Sequence, residues 1–208
     1  SLNDTSNSIQ QTFSKIKVNA PQKNSLYRLR EDSIDFYGAK VIANSDGTFV
    51  DIIDIGVWGG EKWSYGLIKY DKYGDTIFFN QHNDTVPFLN IGEVQELDNK
   101  EYVLVGTIRA QPFSNGGNQN VILIKLDSLG NELWRRDYGN GNDEELGFSV
   151  APVSDGGFIV SGIKQVPGVF NGWESERPYI VKTDSIGNIE WEKTYGALDT
   201  ANLPAYKI

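Results

Sequence analysis

The chain has 208 residues, of which 39% are hydrophobic and 12% aromatic, and this composition is sufficient for the packed core of one domain. Its formal charge of −9 would repel a nucleic-acid backbone, and no basic cluster offsets it. The absence of cysteine excludes a disulfide framework, a thiolate zinc site and a cysteine nucleophile.

Short apolar runs alternate with turn sequences along the chain. The 22 glycines lie beside Asp and Asn between these runs, as in proteins built from many short strands and tight turns. The first hairpin is predicted at 44–49, where Asp46 and Gly47 are residue types that readily adopt positive φ. Further hairpins are predicted at 97–102 and 154–158.

A second element recurs three times, centred on Asp71, Asp127 and Asp184, which are 56 and 57 residues apart. Each of these aspartates has Lys two residues before it and Gly three residues after it. An aromatic residue follows seven positions after the aspartate, as Phe78, Trp134 and Trp191. This regular spacing predicts a repeated supersecondary unit.

The two hairpins of each repeat predict four antiparallel strands, in the third repeat at 148–153, 158–163, 179–183 and 189–194. A sheet of this kind cannot bury both faces alone, so neighbouring units should stack around an axis as the blades of a β-propeller. The predicted fold is therefore all-β, with about three and a half four-stranded blades of ~56 residues each.

A single repeat domain is predicted over 1–208. The boundaries are an outer half-blade at 14–31, repeats at 33–84, 85–143 and 144–200, and the start of a next blade at 201–208. Two arrangements remain open, namely a compact four-bladed ring whose last blade combines both termini, and part of a larger propeller. The lack of a second strand after Ile208 favours the partial propeller.

The element Asp-Ser-x-Gly-Asn-x-x-Trp at 127–134, repeated nearly unchanged at 184–191, resembles the repeats of quinoprotein-like propellers and of propeller repeats in bacterial secreted and outer-membrane proteins. The likeness covers residues 33–200 and, more weakly, 14–31. It implies an extracellular, periplasmic or outer-membrane-associated protein, including a surface-anchored lipoprotein, and it implies shape more than chemistry. Quinone-dependent dehydrogenases are characterised by a calcium-bound quinone and often a vicinal cysteine pair, and this chain has no cysteine.

Few residues suggest catalysis or metal binding. His82 is the only histidine and is interpreted as an ordinary loop residue, because no triad or metal partner is evident. The segment 139–145 is rich in oxygen donors that suit Ca²⁺, but its spacing is not that of an EF-hand. No cofactor is therefore predicted, with calcium as the alternative. The recurring Asp84, Asp143 and Asp199 are expected to bond to turn amides.

Two other repeated positions are interpreted as structural. Lys69, Lys125 and Lys182 each precede an aspartate by two residues and so share a strand face with it, which predicts ion pairs between blades. The repeated aromatic residues Phe78, Trp134 and Trp191 are predicted to pack between blades as core.

Five aromatic residues are the predicted ligand-binding residues, because they fall in the links between second and third strands. Those links and the blade-to-blade connections should leave from the same end of the blades. Aromatic rings beside Asp, Asn and Gln suit a neutral carbohydrate or a peptide. The alternative is that the rings pack onto their own loops. The five residues are Trp58, Trp63, Phe113, Phe170 and Trp173.

The sequence favours a non-catalytic binding or scaffold module that presents one loop face to a protein or glycan, with no nucleic-acid partner. A glycoside-cleaving or other propeller enzyme is one alternative, and cleavage would need two carboxylates about 5 to 10 Å apart. A structural spacer or a secreted cargo segment is another. No apolar run approaches the ~20 residues of a membrane-spanning helix, and the lack of methionine favours a processed or recombinant segment, which is compatible with removal of an export signal.

Overall fold

A computed structural model describes residues 34–57, 63–86, 89–109, 119–139, 143–166 and 175–196. In these ranges the chain is all-β, without a helix, and its strands form three four-stranded antiparallel sheets. Each sheet is a simple meander in which strands adjacent in the chain are adjacent in the sheet. The prediction of an all-β chain with four-stranded repeats is confirmed, whereas closure into a ring stays a prediction.

The strands follow one another at similar spacing in the three sheets. The first sheet contains β1 (Ile34–Ala43), β2 (Phe49–Val57), β3 (Trp63–Tyr70) and β4 (Thr76–Val86). The central sheet contains β5 (Leu89–Glu96), β6 (Tyr102–Arg109), β7 (Gln119–Leu126) and β8 (Glu132–Tyr138). The third sheet contains β9 (Glu145–Pro152), β10 (Phe158–Val166), β11 (Ser175–Thr183) and β12 (Ile189–Thr194).

Six short turns close one end of the sheets, which we call the turn end. In each, the amide of the first residue donates to the carbonyl four positions later, and the carbonyl of the first residue accepts from the amide three positions later, as in a three-residue hairpin loop. The side chain of Asp127 accepts bonds from the amides of Leu129 and Asn131 at 2.9 and 2.8 Å, and Asp184 repeats the arrangement. Gly130 supplies the positive φ of its turn, so the Asp-Ser-x-Gly-Asn motif is a turn motif.

The repeated lysines form ion pairs within a sheet, and the prediction of pairs between blades is wrong. The side chains of Asp71, Asp127 and Asp184 are engaged by the amides of their own turns. Each lysine, on the third strand, reaches an acidic residue in the turn between the first two strands at the same end. The pairs are Lys69 with Asp46 at 3.5 Å, Lys125 with Glu101 at 2.7 Å and Lys182 with Asp155 at 2.9 Å.

The core lies between successive sheets. Along β6 and β7 alternate side chains point to opposite faces, and both faces are buried. Leu104 and Ile124 belong to a cluster shared with the first sheet, whereas Val103 and Leu123 belong to a cluster shared with the third. The first strand of the central sheet, β5, packs against the first sheet, and the first strand of the third sheet, β9, packs against the central sheet. The central sheet is therefore covered on both faces.

Aromatic packing joins the sheets at the repeated aromatic position. Trp134 of β8 meets Phe158 of β10 edge to face, with ring centroids 6.0 Å apart. Phe78 is partly buried against the cluster of the first two sheets, so both residues pack as predicted. Trp191 does not: it is exposed, because no described sheet follows the third one.

A hydrogen bond joins the fourth strand of the first sheet and that of the central sheet to the sheet that follows, in each case from the residue four positions after Phe78 or Trp134. We call the fourth strand of each sheet its outer strand. His82 Nε2 donates to the carbonyl of Gly130 at 2.7 Å, and the hydroxyl of Tyr138 donates to the carbonyl of Gly187 at 2.9 Å. His82 also stacks on Tyr65, with centroids 4.4 Å apart. The interpretation of His82 as a loop residue is therefore wrong, because it lies in β4 and joins two sheets.

Asp54 forms a further bond between the first and central sheets. It is buried and accepts bonds from the side-chain amide of Asn90 at 3.0 Å and from the backbone amide of Ile91 at 3.2 Å. Thr107, at the same repeat position, accepts from the amide of Gly147 at 3.2 Å. Burial raises the pKa of Asp54 to about 7, although these bonds and the charge of Lys40 act to lower it.

Asp54→Asn is expected to remove a pH-dependent loss of stability. The folded pKa of Asp54 lies above its ordinary value, so its ionisation destabilises the fold as pH rises from about 4 to about 7. The free energy of unfolding of the variant, relative to wild type, should therefore rise between pH 5 and pH 8, by up to about 3 kcal/mol. Urea unfolding at both pH values measures this, with the exposed Asp98→Asn as a control. An unchanged difference would contradict the account.

Candidate binding site at the loop end

The end opposite the turns, which we call the loop end, carries the other connections, which range from two to nine residues. The links 58–62, 110–118 and 167–174 join second to third strands there, and 87–88 and 139–144 join successive sheets. Among the predicted ligand-binding residues, Trp58, Phe113, Phe170 and Trp173 fall in these links, outside the described residues. Trp63 begins β3, where its backbone pairs with Gly56, but its side chain is not described either. Their ligand contacts therefore stay a prediction.

A buried ion pair lies at the loop end of the third sheet. The antiparallel register of β9 and β10 places Glu145 directly opposite Lys164. Lys164 Nζ lies 2.8 Å from Glu145 Oε1 and 3.1 Å from Asp143 Oδ2. Glu145 has no exposed surface, and Lys164 is largely buried. Asp143 was expected to bond to turn amides, whereas the structure shows its carboxylate in an ion pair with Lys164.

The ion pair replaces an apolar pair at the same place in the central sheet. There the register brings Leu89 opposite Ile108, and both pack in the core cluster of the first two sheets. Replacing a buried apolar pair by two charges seldom adds stability, because the desolvation cost offsets the attraction. The departure from the repeat therefore marks this position as a candidate functional site.

Burial and neighbouring charges determine the protonation of the cluster. Burial raises the pKa of Glu145, although its contact with Lys164 acts in the opposite direction. Burial acts to lower the pKa of Lys164, but the bonds to Glu145 and Asp143 outweigh it and raise that pKa. Lys164 is therefore a firmly charged ammonium held by two acidic side chains.

Two buried oxygen acceptors lie beside Gly139. Glu145 Oε2 and Asn120 Oδ1 have no hydrogen-bond partner among the described residues. A Cβ at position 139 would lie 2.4 Å from Asn120 Oδ1 and 2.8 Å from Glu145 Oε2, so a larger residue would displace these side chains. Gly139 itself is exposed, which places the two acceptors one residue below the surface. A hydroxyl or ammonium donor would satisfy both.

Tyr179 extends the cluster along β11. Its ring is 5.8 Å from Lys164 Nζ, and its hydroxyl donates to the carboxylate of Glu192. Burial, the bond to Glu192 and the surrounding negative charge all raise the pKa of Tyr179, so it stays neutral and acts as a donor. Asp143, Glu145 and Glu192 are the acidic members of the cluster, and Arg177, opposite Lys164 in the register of β10 and β11, is a second basic residue beside them.

The described residues include no group of three or more His, Asp or Glu side chains arranged to hold a metal ion. The segment proposed for calcium, 139–145, lies partly outside the described ranges. Within those ranges no helix has the length and apolarity needed to cross a membrane.

Comparisons with known proteins leave the geometry as the main guide to function. No model of a known protein family matches the chain, and no curated protein sequence matches it.

Lys164→Ile is expected to destabilise the fold by about 3–5 kcal/mol, because it leaves Glu145 buried and without its counter-charge. The double variant Glu145→Leu/Lys164→Ile restores the apolar pair of the central sheet, and its stability should return to within about 1 kcal/mol of wild type or exceed it. Urea unfolding of the three proteins measures both effects. A double variant no more stable than Lys164→Ile would show that the pair is a structural requirement.

Proposed function

We propose that the three sheets are consecutive blades of a β-propeller and that the chain is a non-catalytic binding module of an exported protein. Its loop end would bind a neutral glycan, with a protein partner as the other ligand class. The stacking of each inner strand on the preceding sheet supports the propeller arrangement. The exported location rests on the sequence resemblance alone.

The observation that carries the binding proposal is the Glu145–Lys164 ion pair at the loop end. The ion pair occupies the position of an apolar pair in the central sheet. Two buried oxygen atoms there, Glu145 Oε2 and Asn120 Oδ1, accept no hydrogen bond from the described residues. Sugar hydroxyls donate to such acceptors, and aromatic rings in the neighbouring links can stack on sugar C–H groups. The net charge of −9 disfavours an anionic glycan.

Titration with neutral oligosaccharides of glucose, xylose, mannose and N-acetylglucosamine, followed by tryptophan fluorescence, tests the proposal. Wild type should give a saturable shift with one class, and Trp58→Ala/Trp173→Ala should abolish it. Glu145→Leu/Lys164→Ile should weaken binding by about tenfold or more, because a hydrogen bond to a charged group contributes about 1.5–3 kcal/mol.

Tyr73→Ala is the matched control, because Tyr73 is an exposed aromatic at the turn end and should not affect binding. A panel of peptides run in parallel separates a protein ligand from a glycan. No response to either panel, with Trp58 and Trp173 shielded from a quencher, would contradict the proposal and favour a spacer or cargo segment.

Glycoside cleavage is the second candidate, and the raised pKa of Glu145 is the observation that favours it, since a general acid must keep its proton. Against it, the carboxylates of Asp143 and Glu145 both contact Lys164, so neither is free to act as a second catalytic carboxylate. Release of reducing ends from the same oligosaccharides, lost in Glu145→Gln, would replace the binding proposal by an enzymatic one.

A further inference from the structure

The two described contacts between sheets are formed by residues at the same repeat positions. An aromatic residue on an outer strand packs against the following sheet, as Trp134 does on Phe158. Four residues later a side chain donates to the carbonyl of a turn glycine in that sheet, as Tyr138 does to Gly187. The outer strand thus carries a donor face, and the following sheet carries an acceptor face.

The third sheet presents a donor face that no described residue covers. Trp191 and Tyr195 occupy the repeat positions of Trp134 and Tyr138. Their exposed fractions are 41% and 43%, whereas that of Tyr138 is 3%. All of β12 is exposed, unlike the outer strand of the central sheet.

The first sheet presents the matching acceptor face. Phe49 occupies the repeat position of Tyr102 and Phe158, and it is 38% exposed where they are 0% and 2% exposed. Gly74 has the positive φ and the turn position of Gly130, whose carbonyl accepts the bond from His82. Both halves of the repeated contact are therefore present and uncovered at opposite sides of the described structure.

We propose that a second copy of this chain covers these faces, with the third sheet of one copy packed head to tail on the first sheet of the other. Trp191 then packs on Phe49, and the hydroxyl of Tyr195 donates to the carbonyl of Gly74. Propellers hold roughly four to eight blades; the three described sheets fall below that range, and the described sheets of two copies together fall within it. Such a contact joins two different patches, and two copies can close it. The assembly does not depend on the proposed ligand.

Sedimentation velocity of the full chain across the micromolar range, at physiological salt because each copy carries a charge of −9, tests the association. The mass should rise from one chain to two with concentration. Trp191→Ser should raise the dissociation constant by about tenfold or more. Tyr73→Ser, an exposed aromatic at a turn tip, should leave it unchanged. Circular dichroism establishes that both variants fold.

Disulfide trapping identifies the contact, since the chain has no cysteine of its own. Asn80 and Asn131 touch across the first contact, at 3.2 Å, and their repeat equivalents on the uncovered faces are Lys193 and Asp75. A mixture of the single variants Lys193→Cys and Asp75→Cys should give a mixed disulfide of two chains.

Two results would overturn the proposal. One is a single chain at every concentration with no mixed disulfide. The other is a disulfide formed inside one chain by the double variant Lys193→Cys/Asp75→Cys while the mixture of single variants gives none. That result would show that the chain covers these faces itself.

Discussion

Contact between successive sheets is the interaction on which the rest of the structure depends. The central sheet is apolar on both faces, and each face is buried only because another sheet packs on it. Burial of apolar surface supplies most of the stabilisation, at about 25 cal/mol per Å², so a sheet of this composition is not expected to be stable alone. Hydrogen bonds such as those of His82, Tyr138 and Asp54 then fix how one sheet is oriented on the next.

The two ends of the sheets are built differently. At the turn end the same three-residue loop is used six times, and its own Asp and Asn side chains satisfy its amides. Lys100 takes the left-handed position in one of these turns, which shows how firmly the loop geometry is imposed. At the loop end the connections differ in length and composition, and a buried ion pair replaces an apolar pair. Variation at one end of a uniform scaffold is the usual basis of binding specificity.

The spacing of Asp71, Asp127 and Asp184 predicts the repeat, and the turn sequences between apolar runs predict its hairpins, because hairpin turns depend on local sequence. Environment was harder to predict. Trp191 has the sequence context of Trp134, but its exposure depends on whether another sheet follows. The prediction for the repeated lysines was wrong because the aspartate two residues after each lysine accepts hydrogen bonds from the amides of its own turn.

The Glu145–Lys164 pair was missed for a different reason. Its members are brought together by strand register, which can be known only once the bulge and the turn of that hairpin are placed. The sequence contains a signal for it: Glu145 and Lys164 of the third repeat are charged, whereas the equivalent residues of the second repeat, Leu89 and Ile108, are apolar. The departure of these two positions from the repeat, rather than agreement with it, is what identifies the pair.

Amide hydrogen exchange of the dilute, monomeric chain tests most directly whether each sheet depends on its neighbours. The account predicts that the slowest-exchanging amides lie in β6 and β7, which are covered on both faces, and that β12 exchanges fastest among the described strands. Equal protection in the three sheets, or stronger protection in β12 than in β8, would contradict it.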